Sequence, residues 1–95
     1  LAASPAAAAP DGAAVFATKC GICHRDGGAG TFMLSRRLTP DKSPLLEKRT
    51  DLQAVYINTV VRRGLASMPW FTRVEVTDAE LQAIGAYLLK AKPSP

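Results

Sequence analysis

Two thiols and an imidazole stand in one short run, Cys20-Gly21-Ile22-Cys23-His24, and they are the chain's only cysteines and only histidine. C-x-x-C-H is the spacing at which a c-type haem is attached. Each thiol adds to a vinyl group of the macrocycle as a thioether, and two intervening residues let both reach one porphyrin edge. With the cysteines fixed, His24 lies under the ring, where an imidazole nitrogen coordinates iron. Three plainer readings compete. A bare C-x-x-C can be a dithiol redox pair, but the strand–helix alternation that carries one is missing. It can be half of a zinc site, yet Cys20, Cys23 and His24 supply three ligands where a structural zinc has four. The third is chance.

His24 on one side leaves the other face of the iron open, and its occupant separates electron carriage from small-molecule chemistry. With no second histidine, a thioether is the next donor, and the candidates are Met33 and Met68. Met68 is preferred, because it lies in an irregular stretch, Leu65 to Val76, with Gly64 to turn the chain and Pro69 to stiffen it. The rival view makes Met68 a gap-filling core residue. Met33 is expected to pack against the ring, and Lys42 or Lys48 could compete for iron at high pH.

These residues need elements to position them. Asp11 reads as the N-cap of a first helix, Gly12 to Lys19, which carries Val15 and Phe16 and ends at Gly21. The glycine-rich segment from Arg25 to Gly30 is expected to wrap closely under His24 and to accept its second ring N–H. Residues 31–38 are read as lying along a haem edge, with Arg36 or Arg37 near a propionate. Ser43 ahead of Pro44 predicts a short helix through Arg49, with Leu45 and Leu46 inward. Thr50-Asp51-Leu52-Gln53 and Thr77-Asp78-Ala79-Glu80 both read as capping boxes. The first opens a helix with Leu52, Val55, Tyr56, Thr59, Val60 and Arg63 at helical spacing, ended by Gly64. The second opens a closing helix to about Lys90, with Leu81, Ile84, Tyr87 and Leu88 inward.

Ninety-five residues make one domain: a flexible Ala/Pro-rich tail over 1–10, a folded unit over 11–92 and a tail over 93–95. So small a core benefits from a large apolar plate at its centre. The formal charge of +4 falls by about two with the haem propionates, which suits an acidic protein surface. Nucleic-acid binding would need a denser basic stripe, and no apolar run is long enough for a membrane span. In bacteria C-x-x-C-H is loaded outside the cytoplasm and the chain starts at Leu1, so a periplasmic protein with its signal peptide removed is expected.

Taken together, Gly12…Phe16, Cys20-x-x-Cys23-His24, Met68-Pro69 and Ile84-x-x-Tyr87 resemble a small class I cytochrome c over about residues 11–90. That resemblance implies an all-α fold, helices wrapped around one covalently bound haem c, with the N- and C-terminal helices crossing at Gly12, Phe16, Ile84 and Tyr87. Tyr56-Ile57…Val61-Arg62…Gly64…Met68-Pro69-x-Phe71 is similar to the small cytochrome subunit of alkylphenol-oxidising flavocytochromes, the 4-cresol dehydrogenase type. One departure stands out. The family often has a proline soon after C-x-x-C-H whose carbonyl accepts the histidine N–H, whereas here the next proline is Pro40.

The expected function is electron transfer rather than catalysis. His24 and Met68 both bind iron, and electrons arrive singly from a flavin- or quinone-dependent dehydrogenase and leave to a terminal acceptor. Lys19, Arg25, Arg62, Arg63 and Arg73 are read as a docking ring at the exposed haem edge, with an ordinary solvated surface as the plain alternative. The alternative is a haem enzyme or gas sensor with an open distal iron site.

Overall fold

Asp11 is extended (φ −77°, ψ 109°), and its Oδ1 accepts from the Ala13 and Ala14 amides at 3.0 and 3.5 Å. The first helix therefore starts where a carboxylate cap places it. In this computed structural model, which describes residues 10–90, the α-helices are α1 (Gly12–Val15), α2 (Gly21–His24), α3 (Ala29–Arg37), α4 (Ala54–Arg63) and α5 (Asp78–Lys90). The described residues contain no strand, only an isolated bridge between Leu65 and Met68. None of these helices is long and apolar enough to cross a membrane. The all-α architecture is the expected one, and the tails expected over 1–10 and 93–95 lie, Pro10 apart, outside the described residues.

A π turn, Phe16–Cys20, joins α1 to α2, and the chain stays helical through His24. The expected stop at Gly21 is thus corrected. Gly21 is helical (φ −63°, ψ −32°), its carbonyl accepts from the Arg25 amide at 3.0 Å, and the helix ends only where Arg25 becomes extended. The π turn holds an extra residue, which resets the helix face between Phe16 and the cysteines.

At the crossing of α1 and α5, a Cβ on Gly12 would lie 2.1 Å from the Ala83 carbonyl oxygen and 2.8 Å from Tyr87 Cβ. Only a hydrogen fits there. Phe16 is fully buried beside Tyr87, with ring centroids 5.8 Å apart, and Ile84 and Leu88 are each 2% exposed. Leu52, Ile57, Val61, Val76 and Leu81 complete the core.

The second predicted box fulfils both of its hydrogen bonds. Thr77 N donates to Glu80 Oε1 at 2.9 Å, and Glu80 N donates to Thr77 Oγ1 at 3.1 Å. The first does not form. Asp51 is taken by Arg49, Leu52 is buried, and Gln53 is extended, so α4 begins at Ala54 with no side-chain cap. Its inward residues are consequently Ile57 and Val61, while Val55, Thr59 and Arg63 face solvent. The short helix expected after Ser43 shrinks to a 3-10 turn, Leu46–Lys48, because Leu45 and Arg49 on either side are extended. Ser43 Oγ does accept from the Leu45 amide at 3.1 Å.

After Gly64 (φ +77°) the chain folds back through the Leu65–Met68 bridge, and the Phe71 amide donates to the Val61 carbonyl at 2.7 Å. Arg62 clamps this loop. One of its terminal nitrogens reaches the carbonyls of Phe71 and Val76 at 3.2 and 2.8 Å, and the other reaches Asp78 at 2.7 Å.

Two substitutions test this architecture. Gly12→Ala should cost about 1–3 kcal/mol in denaturant unfolding, since the helices must separate to admit the methyl, whereas exposed Ala14→Ser should stay within about 0.5 kcal/mol. Thr77→Ala should cost about 1 kcal/mol through the lost cap, while Thr50→Ala should be nearly neutral.

Candidate haem site

A cavity of about 310 Å³ lies against the core, floored in part by Phe16, Ile84 and Leu88. Its lining is overwhelmingly apolar, yet Cys20, Cys23, His24 and Met68 all border it. Thus the C-x-x-C-H run and a methionine from a different loop meet on one space. The α2 turn presents the first three, because the helix continues past Cys20. The bridge, the Phe71 amide and the Arg62 clamp hold the loop that presents Met68, which also packs against the core.

Burial pushes the Cys20 thiol up to about 11, helped by the neighbouring Cys23, so it is protonated at neutral pH. Burial also lowers the His24 pKa, favouring the neutral imidazole that can donate a lone pair to a metal. Cys23 is exposed at the rim. The loop after His24 does wrap closely: a Cβ on Gly30 would sit 2.8 Å from the Cys23 carbonyl and 3.3 Å from His24 Cε1.

It does not supply the expected hydrogen-bond acceptor. His24 Nδ1 is buried without a partner among the described residues. Within this loop the buried Thr31 hydroxyl donates to Arg25 O at 2.8 Å and lies 3.4 Å from Cys23 O. Arg25 O also accepts from the Gly28 amide at 2.8 Å.

The remaining candidates separate. Met33 borders the cavity at 39% exposure, while Lys42 and Lys48 do not border it, and Lys42 pairs with Asp51 at 3.4 Å. Arg37 lines the cavity, whereas Arg36 sits over the Phe32 ring at 5.6 Å. Arg49 was not singled out by sequence and lines the cavity as well. Its signal was an arginine set between Leu46 and Leu52, two inward apolar residues.

The expected docking ring is largely consumed within the chain. Lys19 pairs with Glu80 at 3.2 Å, Arg25 with Glu47 at 3.6 Å, Arg62 with Asp78 at 2.7 Å and Arg73 with Asp78 at 3.2 Å. Of the five, Arg63 alone is without an ion pair among the described residues.

The donor set fits a thioether-linked haem: two thiols for attachment, an imidazole beside them, a thioether on another wall, apolar surface between and arginines for propionates. The family model for cytochrome C oxidase, cbb3-type, subunit III matches residues 7–88. No curated protein and no solved structure matches significantly. The family match covers nearly all of the described fold, and so this chain belongs to the cytochrome c family of the cbb3-type oxidase subunit III, whose members carry a covalently bound haem c.

Proposed function

We propose that this cytochrome is an electron carrier in which Cys20 and Cys23 hold haem c and His24 and Met68 ligate its iron. The carrying observation is the shared cavity: four residues of the required chemistry, from two segments far apart in sequence, border one apolar space. Haem c supplies a one-electron couple when bound. The chain does the rest. His24 offers a neutral nitrogen from a helix that cannot shift without breaking the Gly12 contact. Met68 offers its sulfur from a loop tied at both ends, and a pinned ligand loop keeps the rearrangement between oxidation states small. Phe16, Ile84 and Leu88 exclude water from the buried side.

The donor we infer is a periplasmic flavin- or quinone-dependent dehydrogenase; what supports the flavin case is the resemblance of the 56–71 segment to the small cytochrome subunit of alkylphenol-oxidising flavocytochromes. The family's own description names an oxidase subunit, which supports an oxidase as the downstream acceptor. Transient contact suits such a role.

Met68→Ala should abolish the weak far-red band of the oxidised protein, lower the midpoint potential and admit carbon monoxide promptly at neutral pH, because a thioether favours reduced iron. Met33→Ala should leave the band in place. Prompt carbon monoxide binding by the unaltered protein would instead favour the open-site enzyme or sensor. For docking, Arg63→Glu should slow reduction by an acidic donor most at low ionic strength, the difference closing as salt rises. An unchanged rate in stopped-flow mixing removes Arg63 from the contact.

A further inference from the structure

Segment 39–52 forms one side of the cavity through Leu46, Arg49 and Leu52. Its regular structure is a single 3-10 turn, Leu46–Lys48, between extended residues. Its hydrogen bonds stay almost wholly inside the segment: Lys42 N to Thr39 O at 3.0 Å, Leu45 N to Ser43 Oγ at 3.1 Å, Lys48 N to Leu45 O at 3.0 Å, and Arg49 to Asp51. Among the described residues, its polar contacts with the rest of the chain all run through one side chain, Glu47. The Tyr87 hydroxyl on α5 donates to Glu47 Oε2, and Arg25 Nη2 lies 3.6 Å from the same oxygen.

The two partners are unequal. A hydroxyl on a carboxylate is a charge-assisted hydrogen bond, whereas an ion pair of that length to a half-exposed guanidinium is weak. Tyr87 is also an anchored donor, since its Cβ faces Gly12 at the helix crossing and its ring packs on Phe16. The Glu47 bond is the main cause that raises the Tyr87 pKa, so the hydroxyl keeps its proton at neutral pH. Arg25 directly follows His24, and its guanidinium lies 6.0 Å from the Phe16 ring centroid. One carboxylate thus joins the helix crossing, the turn after His24 and a side of the cavity otherwise held by the apolar contacts of Leu46 and Leu52.

We propose that Glu47 latches segment 39–52 to α5, which makes Glu47 and Tyr87 positioning residues that hold Leu46 and Leu52 against the haem and keep water from that side. The redox consequence rests on the haem reading above. Apolar surroundings disfavour the extra positive charge of oxidised iron, so a closed latch favours the reduced form. Opening is local, because the Gly12 contact and the Arg62 clamp do not involve Glu47.

Hydrogen exchange and equilibrium redox titration of holoproteins, matched for haem content by pyridine haemochrome, test it. Tyr87→Phe removes the hydroxyl and keeps the ring on Phe16. It should speed exchange at the Lys48 and Arg49 amides about tenfold and leave the Gly64 and Leu81 amides at their original rates. Glu47→Ala should do the same, and the double variant should add little to either. Glu47→Gln, whose amide oxygen still accepts, should fall between Glu47→Ala and the unaltered protein. Arg25→Gln should change less than Tyr87→Phe does. The reduction equilibrium should shift toward the oxidised form in the same order while the far-red band persists, which separates the latch from loss of Met68 ligation. Unchanged exchange at Lys48 and Arg49, or equal acceleration at Gly64 and Leu81, overturns the latch. Local acceleration with an unmoved potential overturns the positioning role and leaves Glu47 a structural brace. Failure of the haem reading shows separately, as no haemochrome from the unaltered protein, and the exchange rates then still decide the latch. If Tyr87→Phe does not fold, Glu47→Ala and Glu47→Gln decide it at the same amides.

Discussion

The contact on which the rest of the molecule depends is the one at Gly12, where α1 meets α5 with no side chain between them. A hydrogen in place of a methyl lets the helix backbones approach, and that approach puts Phe16 under Tyr87 and closes the core around it. Because the chain remains helical from Gly12 to His24, the place of the crossing also fixes where Cys20, Cys23 and His24 lie. The reactive residues are thus located by a packing constraint up to one helical run away, and the π turn between sets which face they occupy. In a domain this small there is little else to hold them.

The opposite wall depends on a second constraint, and it is polar. Met68 lies in a stretch without regular structure, so its position comes from Arg62 bridging two carbonyls and Asp78, and from the Phe71 amide on Val61. Hydrogen bonds from a charged donor are among the stronger ones available, and here they join the end of α4 to the start of α5. The two walls therefore share α5: it receives α1 at Gly12 and the Met68 loop at Asp78. A cofactor between them bridges elements that are already linked through one helix.

What was legible in the sequence was local. C-x-x-C-H, the Asp11 cap and the Thr77–Glu80 box are read within a few residues, and their partners lie within the same span. Thr50–Gln53 has the same spelling as a box, but Arg49 takes Asp51 and the core takes Leu52, so the backbone runs extended and α4 starts later. Propensity lost to tertiary contact there. The clamp role of Arg62 was invisible for the same reason, since its acceptors are carbonyls nine and fourteen residues on, and carbonyls leave no trace in sequence. Nor does spacing announce that His24 Nδ1 is buried without a partner among the described residues.

The charge pattern illustrates how net charge misleads about surfaces. A formal +4 suggests a cationic face, but most of the cations first considered for it brace the fold instead. Paired charges of opposite sign cancel within a few ångströms, and salt screens what remains beyond about 10 Å, so such pairs add little to a long-range steering field. The cations without ion pairs among the described residues include Arg37, on the cavity wall, and Arg63, one residue before the turn into the Met68 loop. Arg36, Lys48 and Lys90 are also without ion pairs among the described residues, and of these unpaired cations only Arg37 borders the cavity. Net charge is a sum over the whole surface, and its layout has to be read pair by pair.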